Sequence, residues 1–385
     1  MAGLALVHDY LLVLRGAERT FASMTDVWPE APIVTLLYDE YGTQGRFAGR
    51  DITTSRLQRL GVSQSNFRAL LPLFPTAARR LKIGEYDRII SSSSAFAHGL
   101  HKPRGALHVC YCHSPFRYAW HEQAVALDEV SLPMRPALRL LMRRHRSFDL
   151  RAARRVDQYI ANGHITRERI KRYWGRDAPI VYPPVDVERF SIGEPDDYVL
   201  FVGELVRHKL PDLAIEAAAE AGRRIKVVGT GPELVHLKER YSEKAEFLGR
   251  VDDRTLERLY SEAAALVVPN IEEFGLVAVE AQAAGRPVVG INVGGVSETV
   301  IHGDTGLLVP DGDLPALANA LRTDFTRFDA GGISQHARRF SREVFQTRLR
   351  EVVESVSERP YRATYAVSHA DAPPRAVAQE HPANP

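Results

Sequence analysis

The chain has 385 residues, of which 45% are hydrophobic and 25% charged, a balance typical of a globular protein large enough for two α/β domains. No stretch approaches the roughly 20 apolar residues of a membrane-spanning helix. The net charge is only +2, yet residues 1–185 carry 27 Lys and Arg against 16 Asp and Glu, and residues 186–385 carry 23 against 32. This asymmetry predicts that the first half meets an anionic partner, with anionic lipid, a lipid diphosphate and nucleic acid all open on charge alone.

The N-terminal segment predicts the start of a nucleotide-binding unit. Residues 4–8 are an apolar strand, followed by a loop at 15–18 and then a helix. That order is typical of the phosphate-cradling turn of a Rossmann unit, although on this signal alone we favour an ordinary structural turn. Further parallel strands are predicted at 32–37 and 87–91. The serines at 91–94 end a strand, where they either bind sugar or, as we favour, cap the next helix.

The segment from 106 to 122 places polar and aromatic residues directly after a buried strand. His113, Arg117, Tyr118 and Trp120 follow the apolar run that contains both cysteines. Imidazole hydrogen-bonds hydroxyls and sugar rings pack on aromatics, so this resembles a binding site, although a lone His is more often structural. We expect no disulfide between Cys110 and Cys112, and a reduced, cytoplasmic protein is the simplest interpretation.

Residues 135–155 hold eight arginines and few acids. Leu138, Leu141 and Met142 recur at helical spacing, with arginines on the other faces. One interpretation is a basic amphipathic helix on an anionic membrane surface. The other is a solvated helix whose apolar stripe packs on its own domain, and the charge asymmetry tips us slightly toward the membrane.

The second half begins after a Pro-Pro hinge at 180–190, since consecutive prolines continue neither a helix nor a central strand. A strand at 198–203 then precedes Lys209, a suitable point charge for a diphosphate, and a helix at 211–221. A strand and a glycine turn at 229–231 follow. Asp252 and Asp253 are more typical of a helix-capping turn than of a metal site.

The stretch at 269–299 carries the strongest chemical signal in the chain. Glu272 and Glu273 precede a helix that opens at Phe274-Gly275, spans 276–284 and contains Glu280. A loop before a helix N-terminus favours anions because the first-turn N–H groups are unpaired, and glycine allows close backbone approach. Carboxylates accept hydrogen bonds from sugar hydroxyls. The alternative is an ordinary strand–helix–strand unit with solvated acids.

These motifs resemble the retaining glycosyltransferases of family 4. The resemblance rests on the Glu-x7-Glu pair with its E-F-G core, on the C-H-S-P-x-R-Y-x-W string and on the Y-P-P-V-D hinge. It implies the α/β GT-B fold, in which two Rossmann-like, doubly wound parallel sheets face each other across a cleft. The expected division is an acceptor-side domain at 1–184, a nucleotide-sugar domain at 185–340, a helix at 341–358 that crosses back to the first domain, and a disordered tail at 359–385.

The resemblance also implies residue roles. Glu272, His113 and Lys209 are the expected catalytic residues. The acceptor or the transferred sugar is expected at Arg15, His113, Arg117 and Tyr118, and the nucleotide base near Val251 and Asp252. The donor is expected to contact Gly16, Gly203, Arg207, Lys209, Gly229, Gly231, Glu272, Phe274, Gly275, Leu276 and Glu280.

Three positions depart from the family pattern. Ala17 replaces a second loop glycine, Gly163 replaces a serine, and Glu204 stands where an arginine usually holds the diphosphate. A carboxylate there repels a diphosphate unless it points away or Arg207 compensates.

The resulting hypothesis is transfer of a hexose, with mannose from GDP-mannose favoured, to a lipid-linked or glycan acceptor in cell-surface polysaccharide or glycolipid assembly. No metal or cofactor is expected, nor is nucleic acid a partner, and the enzyme is expected at the inner face of the cell membrane. The alternatives are a UDP-sugar donor, an inert nucleotide-sugar-binding protein, and an epimerase or phosphorylase on the same fold.

Overall fold

The computed structural model describes residues 3–64, 66–128 and 130–358, so the tail predicted at 359–385 lies outside the described residues. A first sheet contains six parallel strands: β1 (Leu4–His8), β2 (Ile33–Thr35), β3 (Ile52–Thr54), β4 (Arg88–Ser93), β5 (Leu107–Cys112) and β6 (Gln158–Ala161). Their spatial order, β3-β2-β1-β4-β5-β6, is that of a doubly wound Rossmann sheet.

Helices cover both faces of this sheet: α1 (Gly16–Val27), α2 (Phe74–Arg79), α3 (Gln123–Asp128), α4 (Arg135–Ala153) and α5 (His164–Trp174). One apolar core joins Val7 and Ile89 to Phe148 of α4, and the opposite core joins Leu6 and Val109 to Phe21 of α1. Because the strands are buried on both faces, they are continuous apolar runs rather than alternating ones.

The second half repeats this topology. Its parallel strands are β7 (Tyr198–Val202), β8 (Arg224–Val228), β9 (Glu246–Gly249), β10 (Ala265–Val268), β11 (Val288–Ile291) and β12 (Gly306–Val309), in the order β12-β11-β10-β7-β8-β9. The packed helices are α6 (Pro211–Glu220), α7 (Leu234–Tyr241), α8 (Asp253–Glu262), α9 (Leu276–Ala283), α10 (Val296–Thr299), α11 (Leu314–Leu321) and α12 (Ala330–Ala337). If the strands of each sheet are numbered from one to six in chain order, the two sheets have the same spatial strand order.

The last described helix, α13 (Arg342–Glu358), returns to the first domain. Phe345, Leu349 and Val353 belong to the core beneath β1 and β5, and the Phe345 ring meets Tyr111 edge-on at 5.7 Å. The structure therefore confirms the predicted crossover. The exact division at residue 184 stays a prediction, although the first sheet ends at Ala161 and the second begins at Tyr198.

Two sequence-based expectations need correction. The edge strand β3 was not predicted, because it is three residues long and only half-buried. The apolar stripe of α4, formed by Leu138, Leu141 and Met142, packs on the first domain's core and is not available to a membrane. Among residues 3–64, 66–128 and 130–358, no helix combines the length and apolar character that a membrane crossing requires.

Candidate active site

The candidate site lies where the carboxyl ends of the two sheets face each other. In open parallel sheets the ligand crevice forms where the strand order reverses, which here is between β1 and β4 and between β7 and β10. The two walls touch: a Cβ built on Gly16 would lie 3.3 Å from Leu276 Cδ1. Beside this contact a cavity of about 330 Å³ is lined from both domains, with Arg19 on one side and Glu280 on the other.

On the first domain, His113 ends a row of three hydrogen-bonded polar side chains. Ser92 Oγ lies 3.0 Å from His8 Nδ1 and 2.8 Å from His113 Nε2. Burial lowers the pKa of His8 to about 3 and that of His113 to about 4, so both imidazoles are neutral at physiological pH. Because Ser92 engages Nε2, the Nδ1 atom of His113 is the nitrogen that a substrate hydroxyl would meet.

Asp9 fixes the neighbouring loop, a role that the sequence did not reveal. Its buried carboxylate accepts backbone N–H groups from Ser94 (2.5 Å), Ala95 (3.0 Å), Phe96 (2.7 Å) and Ala97 (2.5 Å). These donors satisfy a charge that is otherwise costly to bury. The loop at 94–97, which follows β4, is therefore held by Asp9, the residue that follows β1.

The aromatic residues after β5 have structural partners. Trp120 stacks on Tyr173 at 4.6 Å and donates through Nε1 to Asp149 Oδ2 at 2.6 Å. Tyr118 is half-buried against Phe116. Trp120 therefore has no face free on the Tyr173 side for a sugar ring.

On the second domain, Lys209 and Glu272 form an ion pair at the mouth of the cleft. Lys209 Nζ lies 2.6 Å from Glu272 Oε1, and Asn270 Nδ2 donates to the same oxygen at 2.9 Å. Leu210, directly after Lys209, adopts the left-handed conformation with φ +51°, which is unusual for a residue with a side chain. Lys209, the predicted cation for a diphosphate, therefore pairs with Glu272, the predicted sugar-binding carboxylate.

Glu204, the departure from the family pattern, lies near an arginine of the other domain. Glu204 Oε2 lies 3.7 Å from Arg15 Nη1, with both side chains more than half exposed. Arg207 is 91% exposed and pairs with Glu233 at 3.2 Å. Glu204 thus faces the cleft with a partner that the sequence did not indicate.

The predicted glycines serve loop packing. A Cβ on Gly229 would lie 1.8 Å from the carbonyl oxygen of Gly203, and one on Gly231 would lie 2.3 Å from that of Leu205. Any side chain at these two positions would therefore separate the loops that follow β7 and β8.

The loop before α9 is shaped by a second glycine turn. Gly294 has φ +75°, and the Gly295 N–H donates to the Glu272 carbonyl at 2.7 Å. A Cβ on Gly295 would collide with the Phe274 backbone at 2.2 Å. The Phe274 ring is buried against Tyr182, so only its backbone can face a ligand. At the start of α9, Gly275 has φ +85° and no N-cap side chain from the described residues accepts from the first turn.

Glu280 points from α9 toward the cavity. Its Oε2 accepts from Tyr260 Oη at 2.9 Å, and burial raises the pKa of the carboxyl above its ordinary value. Arg19 of the first domain is the largest of the nearby charges that oppose this shift. One carboxylate oxygen is therefore held by Tyr260.

Glu273, which was not predicted as a site residue, is the charged centre of the contact between the walls. Arg169 Nη1 lies 3.1 Å from Glu273 Oε1, and both side chains are largely buried. Burial works to raise the pKa of Glu273, but Arg117, Arg169 and Lys209 outweigh it and hold the pKa below its ordinary value. The sequence shows Glu273 beside Glu272, but it does not indicate that Arg169 is the partner of Glu273.

His121, Glu122 and Glu273 offer ligand atoms within 4.8 Å of one another, a spacing that suits a metal ion. The same two carboxylates already face Arg117 and Arg169. The positive charge that faces Glu122 and Glu273 is therefore that of the two arginines.

Asp252 caps α8 by accepting from Thr255 N at 3.0 Å, as its sequence context predicted.

A second cavity, of about 400 Å³, is lined by residues between 301 and 336. It contains none of the predicted site residues, and the polar groups described above converge on the cleft instead. We therefore assign the site to the cleft.

Comparisons with known proteins relate both halves of the chain to glycosyltransferases. Residues 14–189 match the family model described as Glycosyltransferase Family 4, and residues 196–324 match the model described as Glycosyl transferases group 1. Among curated proteins, D-inositol 3-phosphate glycosyltransferase 2 of Catenulispora acidiphila is 35% identical over 225 residues, which cover 48% of this chain and 53% of that protein. The enzyme of Frankia alni is 37% identical over 175 residues, covering 37% and 43%. The chain thus spans about half the length of the curated relatives it matches.

Solved structures share the whole architecture. Anabaena Alr3699/HepE in complex with UDP has a TM-score of 0.68 at 18% identity and covers 92% of this chain and 100% of its own. Sucrose-phosphate synthase from Thermosynechococcus elongatus has a TM-score of 0.66 at 19% identity, covering 93% and 99%. At this identity the likeness establishes the fold, two facing Rossmann-like domains. Residues 14–189 thus match a glycosyltransferase family 4 domain and residues 196–324 a glycosyl transferases group 1 domain, and the two domains are arranged as in the GT-B fold.

Proposed function

We propose that this protein is a retaining glycosyltransferase that transfers a hexose from a nucleotide sugar, bound in the interdomain cleft, to a hydroxyl of an acceptor. One arrangement carries the proposal. Lys209 pairs with Glu272 in the loop before α9, Glu280 lies within that helix, and the neutral His113 lies on the opposite wall. A cation, two carboxylates and an imidazole match the diphosphate, the hydroxyls and the hexose of such a donor.

Donor binding in this proposal exchanges partners within the site. Lys209 moves its ammonium from Glu272 to the diphosphate, which carries more charge than one carboxylate. The released Glu272 accepts hydrogen bonds from the hexose hydroxyls. Glu280 Oε1 accepts from the ribose, while Tyr260 holds Oε2 in place.

The transfer step breaks the bond between the sugar's anomeric carbon and the diphosphate oxygen and forms a bond from that carbon to the acceptor oxygen on the same face. The acceptor's proton goes to the departing phosphate oxygen, so no side chain needs to act as base. Backbone N–H groups at 274–276, the α9 dipole and Lys209 stabilise the negative charge that develops on the leaving nucleoside diphosphate. The products are the glycosylated acceptor and the nucleoside diphosphate.

We favour GDP-mannose as donor because the C-H-S-P-x-R-Y-x-W string resembles a mannosyltransferase branch of the family. A UDP-sugar is the alternative, and it draws support from the neighbouring structures that contain UDP and UDP-glucose. The proposed acceptor is lipid-linked or a glycan of the cell surface. The names of the curated relatives add a phosphorylated inositol to the acceptors worth testing.

We also propose that the protein acts at an anionic membrane surface. The outer face of α4 and the turn before it expose Leu132 (72%), Met134 (57%) and Leu140 (50%), with Arg139 and Arg143 beside them. Apolar side chains among cations suit an interface with anionic headgroups. Flotation with phosphatidylglycerol vesicles should recover the protein, and an Arg139→Gln/Arg143→Gln variant should lose most of it. Equal recovery with neutral vesicles would contradict the electrostatic part.

The activity itself is tested by incubating the protein in excess EDTA with GDP-mannose or a UDP-hexose and with acceptors from each class. We expect nucleoside diphosphate release that depends on one donor and one acceptor, and a product with the donor's anomeric configuration by NMR. Binding without release or transfer would favour the inert nucleotide-sugar-binding alternative. No binding at all would refute the proposal.

A further inference from the structure

Helix α5 of the first domain is held by two carboxylates of the second domain. Its N-cap is Gly163, which has no side chain to offer the first-turn N–H groups. Glu298 supplies the missing acceptor: the His164 N–H lies 2.8 Å from Glu298 Oε1 and 2.9 Å from Oε2. A helix N-terminus in one domain is thus capped by a side chain 134 residues away in the other.

The absence of a side chain at Gly163 makes room for this contact. Its φ of 180° is extended backbone that any residue adopts, so conformation does not require glycine here. A Cβ at this position, however, would lie 3.1 Å from the Glu273 carbonyl oxygen and 3.2 Å from Glu298 Oε1. The position is therefore a point of interdomain approach.

One turn further along α5, Arg169 makes the second connection. Its guanidinium pairs with Glu273 at 3.1 Å, and only 17% of the arginine side chain and 27% of the glutamate side chain are exposed. Breaking a pair at such depth leaves a charge with poor access to water. Arg117 adds a further positive charge, and Glu273 is the largest contributor among those that raise the pKa of that arginine.

The same helix contacts both halves of the site. Thr166 Oγ1 donates to the backbone carbonyl of His113 at 3.1 Å. Glu273 is next to Glu272, whose carbonyl accepts from Gly295 in the turn that leads to Glu298. Helix α5 therefore joins the His113 wall to the Glu272 loop through short contacts on each side.

We propose that α5 is an interdomain clasp, made of Gly163, His164 and Arg169 on one side and Glu273 and Glu298 on the other, that holds His113 and Glu272 at their working separation. When the domains part, α5 loses its cap and Glu273 its partner, so both contacts favour the closed arrangement. Domains joined by a modest polar interface otherwise move relative to each other. Arg169, Glu273 and Glu298 are thus positioning residues, and this assignment rests on the function proposed above.

The test measures domain separation and catalysis on the same full-length variants. Arg169→Gln, Glu273→Gln and Glu298→Ala should each increase the radius of gyration in solution scattering and lower kcat roughly five- to tenfold, with the donor KM within about twofold. Arg167→Gln is the matched control, because Arg167 lies on the same helix but pairs with Asp177 of its own domain. It should change neither quantity.

Two further variants separate a clasp from general loss of stability. Arg169→Gln combined with Glu273→Gln should lose clearly less activity than the product of the two single losses, since both variants remove the Arg169–Glu273 contact. Gly163→Ser gives α5 its own preferred cap and crowds Glu298, so it should enlarge the molecule without weakening the helix. Multiplicative losses in the double variant, or an unchanged radius of gyration in all clasp variants, would overturn the proposal. Because scattering needs no substrate, it decides on the clasp even if the proposed transfer fails.

Discussion

The two walls of the cleft hold their polar groups in different ways. On the first domain, His8, Ser92 and His113 form a neutral hydrogen-bonded row, and Asp9 is enclosed by backbone N–H groups. On the second domain, the polar groups are charges paired with one another, such as Lys209 with Glu272. Under the proposed function, the first wall is already arranged for the hydroxyl groups of the ligand. The second wall would exchange partners when the anionic donor binds.

The largest effect is expected where the second wall must rearrange. We expect Lys209→Met to lower kcat/KM for the donor about 100- to 1000-fold, roughly 3–4 kcal/mol of lost transition-state stabilisation, because the charge on the diphosphate loses its cation. Steady-state kinetics measures this. Lys226→Met is the control, since Lys226 lies on β8 and its ammonium group packs over the ring of Tyr198 on β7. A loss below threefold for Lys209→Met would show that the diphosphate binds elsewhere.

The preformed wall should respond through stability. Burial raises the pKa of Asp9, so its effect on stability comes from its hydrogen bonds. Asp9→Asn keeps the shape but replaces one accepting oxygen with an NH2 donor, which leaves two of the four N–H groups without an acceptor, so we expect a loss of about 2–4 kcal/mol in the free energy of unfolding. Calorimetric melting of the full chain measures it as a drop of several degrees. Asp26→Asn, which alters the partly exposed pair with Arg46, should cost under about 1 kcal/mol. Equal shifts in both variants would contradict the assigned role of Asp9.

The stability of the first domain should also depend on pH, through the buried carboxyl group of Glu18. Burial raises the pKa of Glu18 from 4.5 to about 7. The Glu18 carboxylate also accepts a hydrogen bond from the Arg15 N–H, which favours the charged form and opposes part of this rise. Between these two values the folded state binds more protons than the unfolded state, so stability falls as pH rises through that window. Glu18→Gln should therefore stabilise by about 1–3 kcal/mol at pH 8 and change little at pH 4. A loss of stability at pH 8 would mean that the ionised carboxylate is favoured.

We expect the smallest effect at the exposed pair of Arg15 and Glu204, which links the two walls. If Arg15 neutralises Glu204, Glu204→Gln should change donor affinity by less than about threefold, because exposed pairs at 3.7 Å contribute little. Titration calorimetry measures this. An increase in affinity of tenfold or more would show that Glu204 opposes the diphosphate, as its departure from the family pattern first indicated.

The sequence predicted the architecture because buried parallel strands are continuous apolar runs with regular turns between them. It missed β3, whose three residues are too few and too exposed to form such a run. His113, Lys209, Glu272 and Glu280 were predicted because each belongs to a local motif. Asp9 and the residues of the clasp were not, since their partners lie 85 to 134 residues away and only folding brings them together.

The central claim is that a nucleotide sugar binds in the cleft with its ribose on Glu280, and calorimetric titration of GDP-mannose and a UDP-sugar panel without added metal tests it most directly. Glu216→Gln is a matched control for Glu280→Gln, because Glu216 also accepts from a tyrosine hydroxyl, that of Tyr241, but on α6. We predict micromolar binding of one donor that falls at least tenfold in Glu280→Gln and is unchanged in Glu216→Gln. Binding that both variants retain equally would contradict the account.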